Sequence, residues 1–311
     1  MRESKRREFL TTCAAAGLGC AMSGYAPFSA AAADDPVMSI ARYKSSPEEK
    51  EAIAEEAEKL TRAAIDALGG MSKFVSKGDV VFIKPNIGWD RTPELAANTN
   101  PDVIAALIKM CDEAGAREVK VSDHTCNSER RTFARSGIQK AAEEAGANVF
   151  FLNPRRYQKM AINGKLIKEW DVYPEIIEAD KLINVPIVKH HMISQVTLGL
   201  KNLMGVIGGA RDQFHQRIDQ ALPDLAAFVK PDLIVIDAIR VLLRNGPVGG
   251  NPKDVARKDV IAAGTDQVAM DAFGATLLDR KPEDISHIKE AADRGMGQID
   301  YQSLSPKEIT V

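Results

Sequence analysis

The chain has 311 residues, 45% of them hydrophobic and 27% charged, with a formal net charge of −2. That length suits one large globular domain or two small ones. With no basic block and a slightly acidic balance, nucleic acid is not expected as a partner.

The chain opens on Arg6-Arg7-Glu8-Phe9-Leu10, followed by an Ala- and Gly-rich apolar stretch ending in Ala31-Ala32-Ala33. This reads as a twin-arginine export signal with cleavage near Ala33, removed in the mature protein. The stretch is broken by Gly17, Gly19, Gly24 and Pro27 and is a poor spanning helix. Residues 1–33 are therefore assigned as the leader and 34–311 as a single α/β domain, periplasmic or otherwise exported. The export machinery is an expected partner, and no stable membrane insertion is expected after processing. Because this route moves folded proteins, it hints at a cofactor loaded before export. Two cysteines follow the leader, Cys111 and Cys126. A single disulfide between them is open, although Cys111 sits in an apolar helical pattern that suits a buried thiol. No Cys-x-x-Cys occurs, so no iron–sulfur cluster is expected.

In chain order, residues 47–69 read as a helix ended by Gly69-Gly70. Residues 79–84 form a buried apolar strand stopped by Pro85. Asn100 caps a helix at 101–114 that starts on Pro101. Strand 118–122, helix 130–145 and strand 148–152 follow. Residues 158–170 break the rhythm, with Asn163-Gly164 marking a hairpin on a two-residue turn. Strand 180–188, an apolar helix at 196–207, strands 233–238 and 259–263, and helices 266–280 and 284–294 complete the reading. Alternating apolar strands and helices predict a mostly parallel sheet covered by helices on both faces.

Ligands of such sheets bind beyond the carboxyl ends of the strands. Four loops leave those ends with polar residues: Lys84-Pro85-Asn86, Asp123-His124-Thr125-Cys126, Lys189-His190-His191, and Asp237 with Gly246-Pro247-Val248-Gly249-Gly250. Residues 189–215 hold three of the five histidines. Imidazoles bind metals and move protons near neutral pH. Lys201, within an apolar segment, is expected to be desolvated, which lowers its pKa and makes it a nucleophile, base or covalent anchor.

Lys84-Pro85-Asn86, Asn98-Thr99-Asn100-Pro101-Asp102 and Val121-Ser122-Asp123 resemble the family called domain of unknown function 362. So do Lys189-His190-His191, Thr197 with Lys201-Asn202, Gly205, His215, Ile236-Asp237, Gly246 to Gly250, and Asp266 with Asp271. The resemblance covers about residues 78–297. Many relatives carry ferredoxin-type cysteine clusters that this chain lacks, which counts against an electron-transfer role. A looser pattern, His191, ten residues to Lys201 and fourteen to His215, is similar to the lactate racemase family. That likeness implies a lysine holding a nickel-pincer nucleotide, with histidines that ligate nickel or move the substrate proton. Asp123-His124-Thr125 resembles an Asp-x-Thr-Arg motif of that family, with Cys126 in place of the arginine.

The expected function is binding of a small anionic molecule, with racemase- or isomerase-like proton transfer. His190, His191, Lys201 and Asp123 are the catalytic candidates. Lys84, Asn86, Lys189, Asn202, Gly249 and Gly250 are the substrate-binding candidates. His191 and His215 are candidate ligands of a divalent metal (nickel, iron or zinc), oriented by Asp123 or Asp237, and Lys201 is a candidate cofactor anchor. The alternative is a non-catalytic periplasmic carrier using the same residues as ligands.

Overall fold

A computed structural model describes residues 37–44 and 50–311. The twin-arginine pattern and the cleavage site lie outside the described residues. The elements in chain order are β1 (Met38–Arg42), α1 (Lys50–Ala67), β2 (Val80–Pro85), α2 (Pro101–Glu113), β3 (Glu118–Val121), α3 (Glu129–Arg135), α4 (Ile138–Glu144) and β4 (Asn148–Val149). Next come β5 (Gln158–Ala161), β6 (Glu169–Val172), α5 (Pro174–Ile177), β7 (Lys181–Val185), β8 (Ile187–His191), β9 (Gln195–Thr197) and α6 (Gly199–Asn202). The chain finishes with α7 (Ile218–Val229), β10 (Leu233–Leu242), β11 (Val255–Gly264), α8 (Gln267–Thr276), α9 (Ser286–Asp293) and β12 (Lys307–Thr310).

The fold is α/β with a mostly parallel central sheet in the order β12-β1-β11-β10-β7-β2-β3-β4, to which β8 adds beside β10. The pairs β2–β3, β2–β7, β3–β4 and β7–β10 are parallel, whereas β11 runs antiparallel to both β1 and β10. Strand residues alternate between two cores. Val81 and Ile83 of β2 join the layer under α1, α2 and α4. Phe82 joins the layer that holds α6 to α9. Burial on both faces explains why these strands read as continuous apolar runs.

The chain steps from β2 outward to β3 and β4, then crosses back to β7 on the other side of β2. The order reverses there, and the crevice outside the carboxyl ends at such a point is where open α/β sheets bind ligands.

Several boundaries differ from the sequence expectation. Pro186 splits the predicted strand 180–188 into β7 and β8, because proline has no N–H for the ladder. Gly137, in the left-handed region, splits helix 130–145 into α3 and α4. The predicted helix 196–207 is instead strand β9, the short α6 and a 3-10 turn, Leu203–Val206. The hairpin β5–β6 exists, but its tip is not Asn163-Gly164. Gly164 N–H donates to Ile167 O, so the turn falls on Lys165-Leu166. Asp224 of α7 fixes that tip by accepting from the backbone N–H of Lys165, Leu166 and Ile167 at 2.9, 2.7 and 2.7 Å. β1 and β12 were not expected. They pair with each other and β1 lines up beside β11 at one end of the sheet.

Candidate functional site

At the carboxyl ends of β2 and β3, beside β8, lies a cleft of about 550 Å³. Its floor is built from Lys84, the last charged residue before Pro85 stops β2. Lys84 is fully buried and its Nζ donates to Asp123 Oδ1 at 2.7 Å, Pro85 O at 2.8 Å and Asn202 Oδ1 at 3.2 Å. Burial pulls its pKa down and Asp123 opposes that. Three acceptors around one amine fit an ammonium. Asp123 also accepts from Ile87 N–H at 2.7 Å and His124 N–H at 2.9 Å, which fastens the β2 and β3 loops together. Gly205 covers this pair so closely that a Cβ there would run into Asp123 Oδ1 and Lys84 Nζ. Only glycine lets the backbone pass over the ion pair.

The walls differ in kind. Lys189 is 1% exposed; its Nζ donates to Asn86 Oδ1 at 2.8 Å and Ala97 O at 2.6 Å. Burial drives its pKa down to about 7. Lys201 is 8% exposed; its amine lies 3.2 Å from His215 Nε2 and 3.4 Å from Met204 Sδ. Burial, followed by the Arg211 charge against a raising influence of Cys126, brings it to about 8. Arg211 donates to the carbonyls of His124 at 3.1 Å and Thr125 at 3.2 Å. None of these three cations has a carboxylate partner among the described residues. Thr197 Oγ1, on the same wall, is buried without a hydrogen-bond partner.

The two histidines of the cleft stack, with ring centroids 5.8 Å apart and planes at 16°. His191 Nδ1 accepts from the N–H of Ile193 at 3.1 Å and Ser194 at 3.2 Å. Two donors on Nδ1 leave the ring proton of the neutral form on Nε2. Burial and then the Lys201 charge hold His191 neutral, down to about 2. His215 is held below the usual histidine range by burial and Lys201, while a bond to the Asp212 backbone acts the other way. That bond leaves Nε2 to accept from Lys201.

The cleft therefore brings together Asp123, Asn86, Lys189, His191, Lys201, Asn202 and His215, with Lys84 directly beneath. Other sequence candidates lie elsewhere. His190 points off the opposite face of β8, its Nδ1 accepting from Gly246 N–H at 3.2 Å. Gly249 lies against Leu242 and Gly250 against Arg91, whereas Pro247 and Val248 line the cleft. Asp237 does not reach a histidine. It is buried beneath the α2 N-terminus and accepts from Asn100 N–H at 2.7 Å. Asp123 is likewise committed to Lys84 and backbone donors, so neither aspartate orients an imidazole. Cys111 and Cys126 are both free, the first buried with its thiol pushed up to about 12, the second exposed at the cleft. Arg211, Thr197, His124 and Trp89 also line the cleft and were not singled out as site residues. Thr197 had a signal, standing four residues before Lys201 in the quoted motif. Arg211 follows a Gly-Gly pair and carries no motif of its own.

The residues do not fit a metal centre. No group of three or more His, Cys, Asp or Glu side chains is arranged to hold an ion among the described residues. With the ring proton on Nε2, His191 has no lone pair to offer the cleft. Nor is any helix among the described residues long and apolar enough to cross a membrane.

Comparison with known proteins identifies the group. The chain belongs to the domain of unknown function family DUF362, whose model matches residues 81–276. A thylakoid-associated protein of Synechocystis sp. is 27% identical over 262 residues, 80% of each chain. The lactate racemase apoprotein of Thermoanaerobacterium thermosaccharolyticum is 10% identical with a TM-score of 0.43, covering 80% of this chain and 57% of that one.

Proposed function

We propose that the cleft binds a small carboxylate and transfers a proton at the carbon beside the carboxyl group, as an isomerase or racemase would. One observation carries the reading: Lys189, Lys201 and Arg211 surround one cavity, and none has a carboxylate partner among the described residues. Burying cations without counter-charge is costly, and an anionic ligand offsets that cost.

Lys189 and Arg211 hold the carboxylate. Asn202 and Asn86, tied together by a 2.9 Å hydrogen bond, set the position of the Lys189 amine. Lys201, lowered to about 8, is partly neutral near neutral pH and takes the substrate proton as a base. His215 Nε2, 3.2 Å away, accepts a hydrogen bond from the amine and orients it. His191 is not a base here. As a neutral ring with its proton on Nε2, it donates a hydrogen bond to the substrate oxygen on which charge develops. Thr197 Oγ1 is the second group free to bond the ligand.

Incubation with 2-hydroxy carboxylates in deuterium oxide tests this. Deuterium enters the carbon beside the carboxyl group with wild type and not with Lys201→Met. Stoichiometric binding without exchange by wild type would overturn the chemistry and leave a carrier. Lys201 is also the nucleophile that a covalently held cofactor would need. The intact mass of chain isolated from its native host, wild type against Lys201→Met, reads out any adduct. The leader supports export as a folded protein. Loss of exported protein on Arg6→Lys/Arg7→Lys is the expected result, and unchanged export would overturn it.

A further inference from the structure

We infer that the anion taken by this cleft is an amphiphile, a single carboxylate joined to an apolar chain or ring, rather than a compact hydroxy acid. The inference rests on the anion reading above and adds the part of the molecule that the cations do not touch. Deeply buried lysines and strongly exposed apolar side chains line the same cavity. On the buried walls, Lys189 is 1% and Lys201 8% exposed. At the mouth, Met192 is 81% and Ile193 59% exposed, on the tip of the β8–β9 hairpin.

Trp89, Met204, Pro247 and Val248 line the same cavity. A volume of about 550 Å³ is within the range that encloses most of a drug-sized ligand. A compact acid held by these lysines leaves the apolar part of the lining wet. Large apolar side chains standing in water beside a cleft mark a surface that another apolar group covers. Met192 and Ile193 directly follow His191, whose ring is fixed by their own turn through the Ile193 N–H. The hairpin that fixes the donor thus also supplies the apolar lip.

Charge at the mouth narrows the class further. Asp212 lines the cavity and is exposed. A second anionic group at the far end of the ligand would meet it, so the ligand carries one charged end.

Calorimetric titration with acetate, butanoate, hexanoate, octanoate, 3-phenylpropanoate and adipate tests this directly. Each methylene that leaves water tightens binding by roughly fourfold, from about 0.8 kcal/mol per buried methylene. Octanoate therefore binds far more tightly than butanoate, and adipate more weakly than hexanoate. Met192→Ser/Ile193→Ser, with its fold checked by melting, flattens the dependence on chain length. Equal affinity along the series, or an unchanged slope in that variant, would overturn the amphiphile while leaving the anion reading intact. Failure of every carboxylate to bind would remove the anion reading itself and the inference with it.

Discussion

Two buried lysines of this cleft, Lys84 and Lys201, both contact groups near Asn202 and differ in one respect. Lys84 has Asp123 at 2.7 Å and two further acceptors. Lys201 has an imidazole and a thioether. The first is a closed unit whose charge is satisfied within the chain. The second holds an amine that is costly to ionise until a ligand arrives. The contrast separates residues that build the cleft from those that use it, and it makes opposite predictions for similar substitutions.

The largest effect is expected at the closed unit. Lys84→Met leaves Asp123 buried without its cation, and breaking a buried pair from one side costs about 3–5 kcal/mol. A drop in melting temperature on the order of 10 °C is expected. Lys201→Met removes a desolvated amine and leaves only a neutral, half-buried acceptor, His215 Nε2, without its donor rather than a buried charge. Its melting temperature stays equal to or above that of wild type, while affinity for a carboxylate falls at least about tenfold, a loss of ~1.4 kcal/mol. If Lys201→Met melts like Lys84→Met, the division fails.

A smaller effect follows from pH. Lys189 and Lys201 stand at about 7 and about 8 in the folded chain, against an ordinary 10.5. Between those values the unfolded chain binds protons that the folded chain does not. Stability therefore rises with pH from about 7 to 10.5 through these two groups, by up to about 1.4 kcal/mol per pH unit for each in its window. Carboxylate affinity changes in the opposite sense, since it needs the ammonium form, and falls from about pH 7 upward as Lys189 and then Lys201 lose their protons. Urea denaturation and calorimetry at matched pH values read the two trends, and Lys201→Met shallows both. Parallel trends would show that the lysines are not the groups responsible.

Much of the frame was legible because local chemistry dictated it. The run Val80 to Ile83 followed by Lys84-Pro85 defines a strand, its end and a polar group at that end. Asn100-Pro101 sets the start of α2, and the Asn100 side chain does accept from Asp102 N–H. The convergence of Lys84, Asp123, Lys189 and His191 follows from where a parallel sheet places its strand ends; Lys201 joins from α6 and His215 from the 3-10 turn Arg211–Arg217. What stayed hidden depends on partners far apart in sequence. Asp237 looked like a site carboxylate and instead fastens the α2 N-terminus, 137 residues away. The segment 196–207 has helical spacing, but Gly199 and Leu200 direct their N–H groups to Asp271 at 2.6 and 3.0 Å. That buried carboxylate starts the short α6 where a longer helix was expected. β1 and β12 are short and lack flanking helices in the usual rhythm, and only pairing with β11 and with each other identifies them.

The most delicate test concerns His191 and His215, which the sequence presented as alike. Their second ring atoms separate them. His191 receives two backbone N–H groups on Nδ1, so its proton sits on Nε2. His215 accepts from Lys201 on Nε2, so its proton sits on Nδ1. Opposite tautomers stacked 5.8 Å apart make one ring a donor and the other an acceptor toward the same cleft. Nitrogen-15 shifts of the two rings should therefore show inverted patterns at neutral pH, with His191 unchanged well into acid because its value is near 2. His215, flanked by a lysine that gains charge as pH falls, stays neutral below the ordinary histidine range too. Carboxylate binding should move the His191 Nε2 signal as that proton finds an acceptor, and leave its Nδ1 signal in place. Matching tautomers in the two rings would make them interchangeable, and the assignment of Lys201 as a base oriented by His215 would lose its basis.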